Sequence, residues 1–282
     1  MKKLAEPVMH ALFLLCACVS ILSVTLICIF LFANGLPAIG EIGPSNFLAG
    51  LRWKPSQGLF GILPMIVGSL YVTAGAILIG VPIGLLCAVF MAKFCPPRLH
   101  RILTPIINLM AGIPSIVYGF FGLVVLVPVM RTLFGTGKSV LTASLLLGIM
   151  ILPTIISVSE TALRAVPESY YEGALALGAT HERSVFCVTL PAARTAVLAG
   201  VILGVGRAIG EAMAVSIVAG NQAVLPGSLL DGVRTLTANI VLEMGYAADL
   251  HREALIATGV VLFVFILLIN SCFSAMNRKE RR

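Results

Sequence analysis

Six long apolar stretches constrain this 282-residue chain more than any motif in it. They run approximately over residues 8–32, 62–92, 113–129, 139–162, 196–219 and 254–273. The hydrocarbon of a bilayer is about 30 Å thick and asks for about 20 apolar residues per helix. Backbone groups find no water there, so each stretch must satisfy its own N–H and C=O groups and is predicted to be helical. The period-2 alternation of a membrane barrel is absent. The expected fold is therefore an all-α polytopic membrane protein with six transmembrane helices, forming one domain over 1–282. Pro64, Pro82 and Pro153 fall inside or near the ends of these stretches and predict kinks.

Composition agrees. Apolar residues make up 59% of the chain and charged residues 11%, whereas soluble domains carry about 45–50% and 25%. With the amino terminus in the cytoplasm, twelve Lys and Arg residues lie on that side and six on the other, with Arg207 left inside a span. The positive-inside rule then puts both ends in the cytoplasm. The net charge of +7 is mostly this signal, and basic residues scattered over short loops do not make a nucleic-acid surface. Lys2 and Lys3 precede an apolar run much longer than the 7–15 residues of a signal-peptide core, so a retained first helix is expected. None of the seven cysteines is predicted outside, and no C-x-x-C occurs. The four histidines show no ligand spacing, so neither disulfides nor a metal site is expected.

Gly135-Thr136-Gly137-Lys138-Ser139 imitates the end of a phosphate-binding P-loop. That motif needs a glycine at position 132, which is Thr132, and a preceding strand. A tight turn between spans is predicted, and the chain is read as no ATPase. Residues 101–111 read as an amphipathic interfacial segment. Residues 33–59 and 221–253 read as outer loops, the second carrying Asp231, Arg234, Glu243, Asp249 and Arg252. Either they are ordinary solvated loops, or an external partner docks there.

A polar island at 172–191 sits between apolar segments, on the cytoplasmic side. It reads Glu172-Gly173-Ala174, then Gly178, then Val188-Thr189-Leu190-Pro191. Residues 172–178 predict a short helix ended by Gly178. Gly173 and Ala174 admit another protein's groove, and Leu190 and Pro191 redirect the chain toward the fifth stretch. The spacing resembles the EAA loop of permease subunits in ATP-binding-cassette importers, with Gly173 and Val188 as conservative departures. That resemblance implies a type I importer permease fold whose cytoplasmic coupling helix contacts a separate ATPase.

Arg207 and Glu211 form the second constellation. An ion near the bilayer centre costs about 2.5–3.5 kcal/mol on translocon scales, so such residues are functional candidates. A spacing of four puts both on one helical face. Gly200 and Gly204 fall on that face, leaving volume beside the guanidinium for a small tetrahedral anion. Gly206 and Gly210 form a small-xxx-small pair on the adjoining face, suited to close helix packing. Two compatible readings stay open: a substrate path, or a structural ion pair that locks the fifth helix.

Further stretches resemble the PstC-type permeases of phosphate-specific importers. They are Trp53-Lys54-Pro55 with Phe60-Gly61, the run Gly112-Ile113-Pro114-Ser115-Ile116-Val117-Tyr118-Gly119-Phe120-Phe121-Gly122, and Gly206-Arg207-Ala208-Ile209-Gly210-Glu211-Ala212-Met213-Ala214-Val215. The resemblance implies a bacterial inner-membrane permease working with a PstA-type second permease. It also implies a PstB-type ATPase dimer and a PstS-type phosphate-binding protein outside. ATP and Mg would be used by the partner ATPase, with no cofactor on this chain. It divides the chain into a first helix and outer loop (1–60), a core of five helices (61–275) with the coupling loop at 164–194, and a basic tail (276–282). A permease for sulfate or molybdate, or an ATP-independent secondary transporter, is the alternative.

Overall fold

The computed structural model describes the backbone of residues 2–279 and the side chains of residues 9–271. The contributions of Lys2, Lys3, Cys272 and the tail at 276–282 lie outside the described side chains.

Helix α1 (Lys2–Ile42) runs ten residues beyond the expected 8–32 and absorbs Gly35 and Pro37, which read as loop. It continues because Gly35 lets it lie on the last helix: a Cβ there would stand 2.6 Å from Val260 Cγ2. Phe32 and Phe263 meet edge to face at 5.8 Å on the same contact. Helix α2 (Pro44–Ala49) and a hairpin of β1 (Trp53–Lys54) and β2 (Leu59–Phe60) then fold back, with Trp53 opposite Phe60. The expected loop at 33–59 is thus largely ordered structure, with Phe47, Trp53 and Phe60 buried.

Helix α3 (Leu63–Val89) extends through a wide π-turn at Phe90–Phe94. Helix α4 (Pro97–Gly112) buries none of its residues within this chain, in keeping with an interfacial segment. The third span starts at Ser115, two residues later than expected, because Pro114 holds its predecessor out of helical geometry. It comprises α5 (Ser115–Phe121), a π-turn, and α6 (Val127–Phe134). Gly135 ends it at φ 79, and the Ser139 hydroxyl caps α7 (Val140–Arg164) by accepting the Thr142 N–H at 3.2 Å. Residues 135–139 are the turn that the failed P-loop predicted.

Beyond α7 come α8 (Glu168–Ala176), α9 (His181–Ser184), a π-turn, α10 (Leu190–Ala192), α11 (Arg194–Gly210) and α12 (Met213–Val218). Helices α13 (Leu236–Glu243) and α14 (Asp249–Lys279) complete the chain. Among the described residues, five helical segments are long and apolar enough to cross a membrane alone. The sixth crossing departs from expectation. The 196–219 stretch is two helices, α11 of 17 residues and α12 of 6, separated at Glu211 and Ala212. At 1.5 Å per residue α11 covers about 25 Å, short of the hydrocarbon thickness.

Helix α7 is the hub: Leu146, Leu147, Met150, Ile151 and Ile155 are fully buried in the main core. In lipid the surroundings are as apolar as these side chains, so close packing and polar stitches hold the helices together. One such stitch is the Ser144 hydroxyl, which donates to the Val72 carbonyl of α3 at 3.2 Å.

Candidate functional site

At one end of the bundle the chain builds a projecting helix. It starts at Glu168, four residues before the expected Glu172, directly after Pro167. It ends as expected: Gly178 takes φ 84, its N–H donates to Leu175 O at 2.8 Å, and the Ala179 N–H donates to Ala174 O at 3.1 Å. That pair of bonds is a Schellman cap, which needs a left-handed residue. Glu172 and Gly173 face outward with open space beside Gly173, while Ala174 is half-buried. Leu177 is 91% exposed, an apolar side chain with no cover from this chain.

The inner side of α8 is fixed by residues that the sequence reading missed. Lys93, at the end of the second span, reaches Glu168 Oε2 at 3.1 Å and lies 5.4 Å above the Tyr171 ring. The Tyr171 hydroxyl meets His181 Nδ1 at 2.6 Å, and Phe94 packs on His181 at 4.5 Å. Hydrogen bonds from its own backbone N–H and from the Thr180 hydroxyl hold the exposed Glu182 carboxyl below its ordinary pKa. Leu190 packs into the cluster around Val185 and Leu163 while Pro191 stays exposed. The chain then bends by 73° into α11. The break falls at Ala193, two residues after Pro191, and not at Leu190 and Pro191 themselves.

The second constellation sits where the fifth span breaks. Arg207 occupies the last turn of α11, where the helix dipole favours a cation. Glu211 leaves the helix with ψ 123, and its Oε1 accepts the Ala214 N–H at 3.0 Å, capping α12. The Arg207–Glu211 ion pair that one of the two open readings required is not formed, because an i,i+4 contact needs a continuous helix. Instead Arg207 Nη1 donates to Thr154 Oγ1 of α7 over a long 3.4 Å. Among the described residues no carboxylate comes within 4.0 Å of its guanidinium. In the third span, the Tyr118 hydroxyl donates to Met110 O at 2.9 Å.

The glycines exchange their expected roles. Gly200 and Gly204 leave no free volume: Cβ atoms there would stand 3.0 Å from Val158 Cβ and 2.8 Å from Ile155 Cγ1 of α7. They are the close-packing pair. Gly206 and Gly210, expected to pack, have nothing within 4 Å.

The far end holds a polar cluster that the sequence reading also missed. Glu243 is 7% exposed and receives Arg234 Nη1 at 2.5 Å, Trp53 Nε1 at 2.7 Å and His251 Nε2 at 2.9 Å. Asp231 accepts the backbone N–H groups of Gly227 and Ser228, both at 2.9 Å. Of the charges expected on a docking or solvated loop, Arg234, Glu243 and Asp231 are therefore engaged internally.

Comparison with known proteins places this arrangement. Residues 80–282 match the family described as binding-protein-dependent transport system inner membrane component. The chain is 42% identical to a probable ABC transporter permease protein, YqgH, of Bacillus subtilis (strain 168), covering 90% of this chain and 86% of that one. It is 35% identical to the phosphate transport system permease protein PstC of Mesorhizobium japonicum, covering 94% and 88%. Among solved structures it resembles the MetNI methionine ABC transporter in an inward-facing conformation, with a TM-score of 0.65 and 22% identity over 81% of this chain and 99% of that one. A bacterial alginate ABC transporter aligns with a TM-score of 0.60 and 15% identity over 93% and 95%. At such identities these two likenesses speak for the fold alone.

Proposed function

The chain belongs to the family of binding-protein-dependent transport system inner membrane components, and from that membership we propose that it forms half of the membrane path of an ATP-driven phosphate importer. As a family member it is a non-catalytic, multi-pass permease subunit, served by an ATPase and a binding protein. Phosphate as cargo draws support from relatives named as phosphate permeases across most of this chain's length. PstA-, PstB- and PstS-type partners follow from the same names. The observation that carries the cargo reading is Arg207, a cation in a membrane-spanning segment that has no carboxylate partner among the described residues and sits at a helix break. Discontinuous helices are where membrane transporters place binding groups, and a guanidinium fork suits oxyanions.

Arg207 lies about 20 Å along α11 from its first residue, deep in the hydrocarbon region. Thr154, beside it, keeps its hydroxyl proton for an anion, since its oxygen accepts from Arg207. The excess of basic residues on the α8 side orients that end, and both termini, toward the cytoplasm. There Glu172, Gly173, Ala174 and Leu177 form the face that the ATPase grips, with Gly178, Leu190 and Pro191 holding its geometry. Nucleotide-driven closure of the ATPase pulls α8, and through Lys93 the second span, switching access to Arg207 from one side to the other.

The test is uptake into vesicles that hold the permease pair, ATPase and binding protein. ATP-dependent phosphate accumulation is expected, abolished by Arg207→Ala. Accumulation without ATP hydrolysis refutes the importer reading in favour of a secondary transporter. Sulfate or molybdate uptake in place of phosphate refutes the cargo.

A further inference from the structure

In an unbroken helix Arg207 and Glu211, four residues apart, would meet and neutralise each other. They stay apart because the backbone leaves the helix at Glu211. A carbonyl turned out of a helix in a water-poor span needs a donor, since neither lipid nor the helix supplies one. The donor is the Thr237 hydroxyl, 2.9 Å from Glu211 O. Thr237 is buried and closely held. Thr235 Oγ1 lies 3.1 Å from its hydroxyl and also caps α13 through the Ala238 N–H at 3.2 Å. Between the two threonines, the Leu236 N–H donates to Ser69 Oγ of α3 at 2.9 Å. The first turn of α13 is thus stitched to the second span on one side and to the break on the other. Beyond the break, Glu211 Oε1 accepts the Ala214 N–H.

We infer that Thr237 is a positioning residue of the anion path: its hydroxyl holds the fifth span broken at Glu211, and so keeps Arg207 available to an oxyanion. The inference rests on reading Arg207 as part of the path. It also gives the outer strap formed by residues 234–243 a task, because α13 ends at Glu243, which Trp53 and His251 tie to the hairpin after the first span and to the last span. A shift of the strap at the outer face would reach the break directly.

The experiment compares Thr237→Val, Thr237→Ser and Arg207→Ala in the complete importer, with its ATPase and binding protein, in vesicles at matched complex content. Thr237→Val keeps the shape and removes the hydroxyl, and phosphate uptake is expected to fall at least tenfold. Thr237→Ser restores the donor, and uptake is expected within threefold of wild type. On a Glu211→Gln background no ion pair is available, so Thr237→Val is expected to add less than a twofold loss. If Thr237→Val assembles poorly, Thr237→Ala takes its place with the same outcomes. Wild-type uptake by Thr237→Val, failure of the serine variant, or a full tenfold further loss on the Gln background each overturn the inference. Normal uptake by Arg207→Ala overturns the path reading instead, whatever Thr237 does.

Discussion

Trp53 donates its indole N–H to the Glu243 carboxylate at 2.7 Å, across 190 residues of chain. The bond closes the hairpin that follows the first helix onto the end of α13. Glu243 also neutralises Arg234, whose side chain is 18% exposed. Breaking a buried pair leaves an uncompensated charge and costs about 3–5 kcal/mol. Losing one neutral donor to a carboxylate costs about 1.5–3 kcal/mol. Glu243→Ala is therefore expected to lower the thermal midpoint of the purified complex more than Trp53→Phe does. Equal midpoints would remove Glu243 as the anchor.

The projecting helix offers a separate handle on coupling. Leu177 is almost wholly exposed at its end, and Gly178 beside it holds φ 84. Leu177→Asp is expected to leave membrane insertion unchanged and to abolish co-purification of the ATPase. Gly178→Ala places a Cβ in the left-handed region, at a cost of about 1–2 kcal/mol. That strain frays the helix end, so coupled ATP hydrolysis is expected to drop severalfold with the ATPase still bound. Full coupling in Gly178→Ala would show that the cap is dispensable.

Hydropathy located the spans because a bilayer imposes length and polarity locally, and Gly178 and the 135–139 turn were legible for the same local reason. The misses are all tertiary. Nothing in Glu211-Ala212 forbids a helix, and no proline marks the break. It exists where Thr237, 26 residues later, takes the Glu211 carbonyl. A helical wheel put Gly200 and Gly204 beside Arg207, but it cannot say that Ile155 and Val158 fill the space opposite. The first helix outran its apolar stretch because Gly35 packs on Val260, a contact between the two ends of the chain. Arg234 and Glu243 read as loop charges until the fold brought them together with Trp53 and His251.

The exchanged glycines give a direct stability test. A Cβ on Gly204 meets Ile155 at 2.8 Å, so Gly204→Ala must push α11 from α7, at about 1–3 kcal/mol for overpacking. A Cβ on Gly206 meets nothing within 4 Å, so Gly206→Ala gains about 0.8–1 kcal/mol of helix propensity in the isolated chain. The first variant is expected to melt several degrees below wild type and the second at or above it. The reverse order would restore the wheel's assignment.

Glu211 allows charge to be separated from capping. Its Oε1 caps α12 through the Ala214 N–H, and a glutamine oxygen does the same, so Glu211→Gln is expected to keep the break and the yield of complex. The exchange puts an NH2 donor where the second carboxylate oxygen stood. Phosphate near neutral pH carries a proton that a carboxylate accepts, whereas sulfate carries none. A site that uses the substrate's own donor rejects the analogue lacking it. With Gln the preference should weaken, because an amide donor suits every bare oxygen of sulfate and opposes the P–O–H of phosphate. The measurement is the ratio of ATP-driven phosphate to sulfate uptake in vesicles holding the complete importer, compared between wild type and Glu211→Gln so that the binding protein's own preference cancels. A fall in that ratio of at least tenfold is expected. An unchanged ratio with normal uptake would leave Glu211 as the cap of α12 and nothing more.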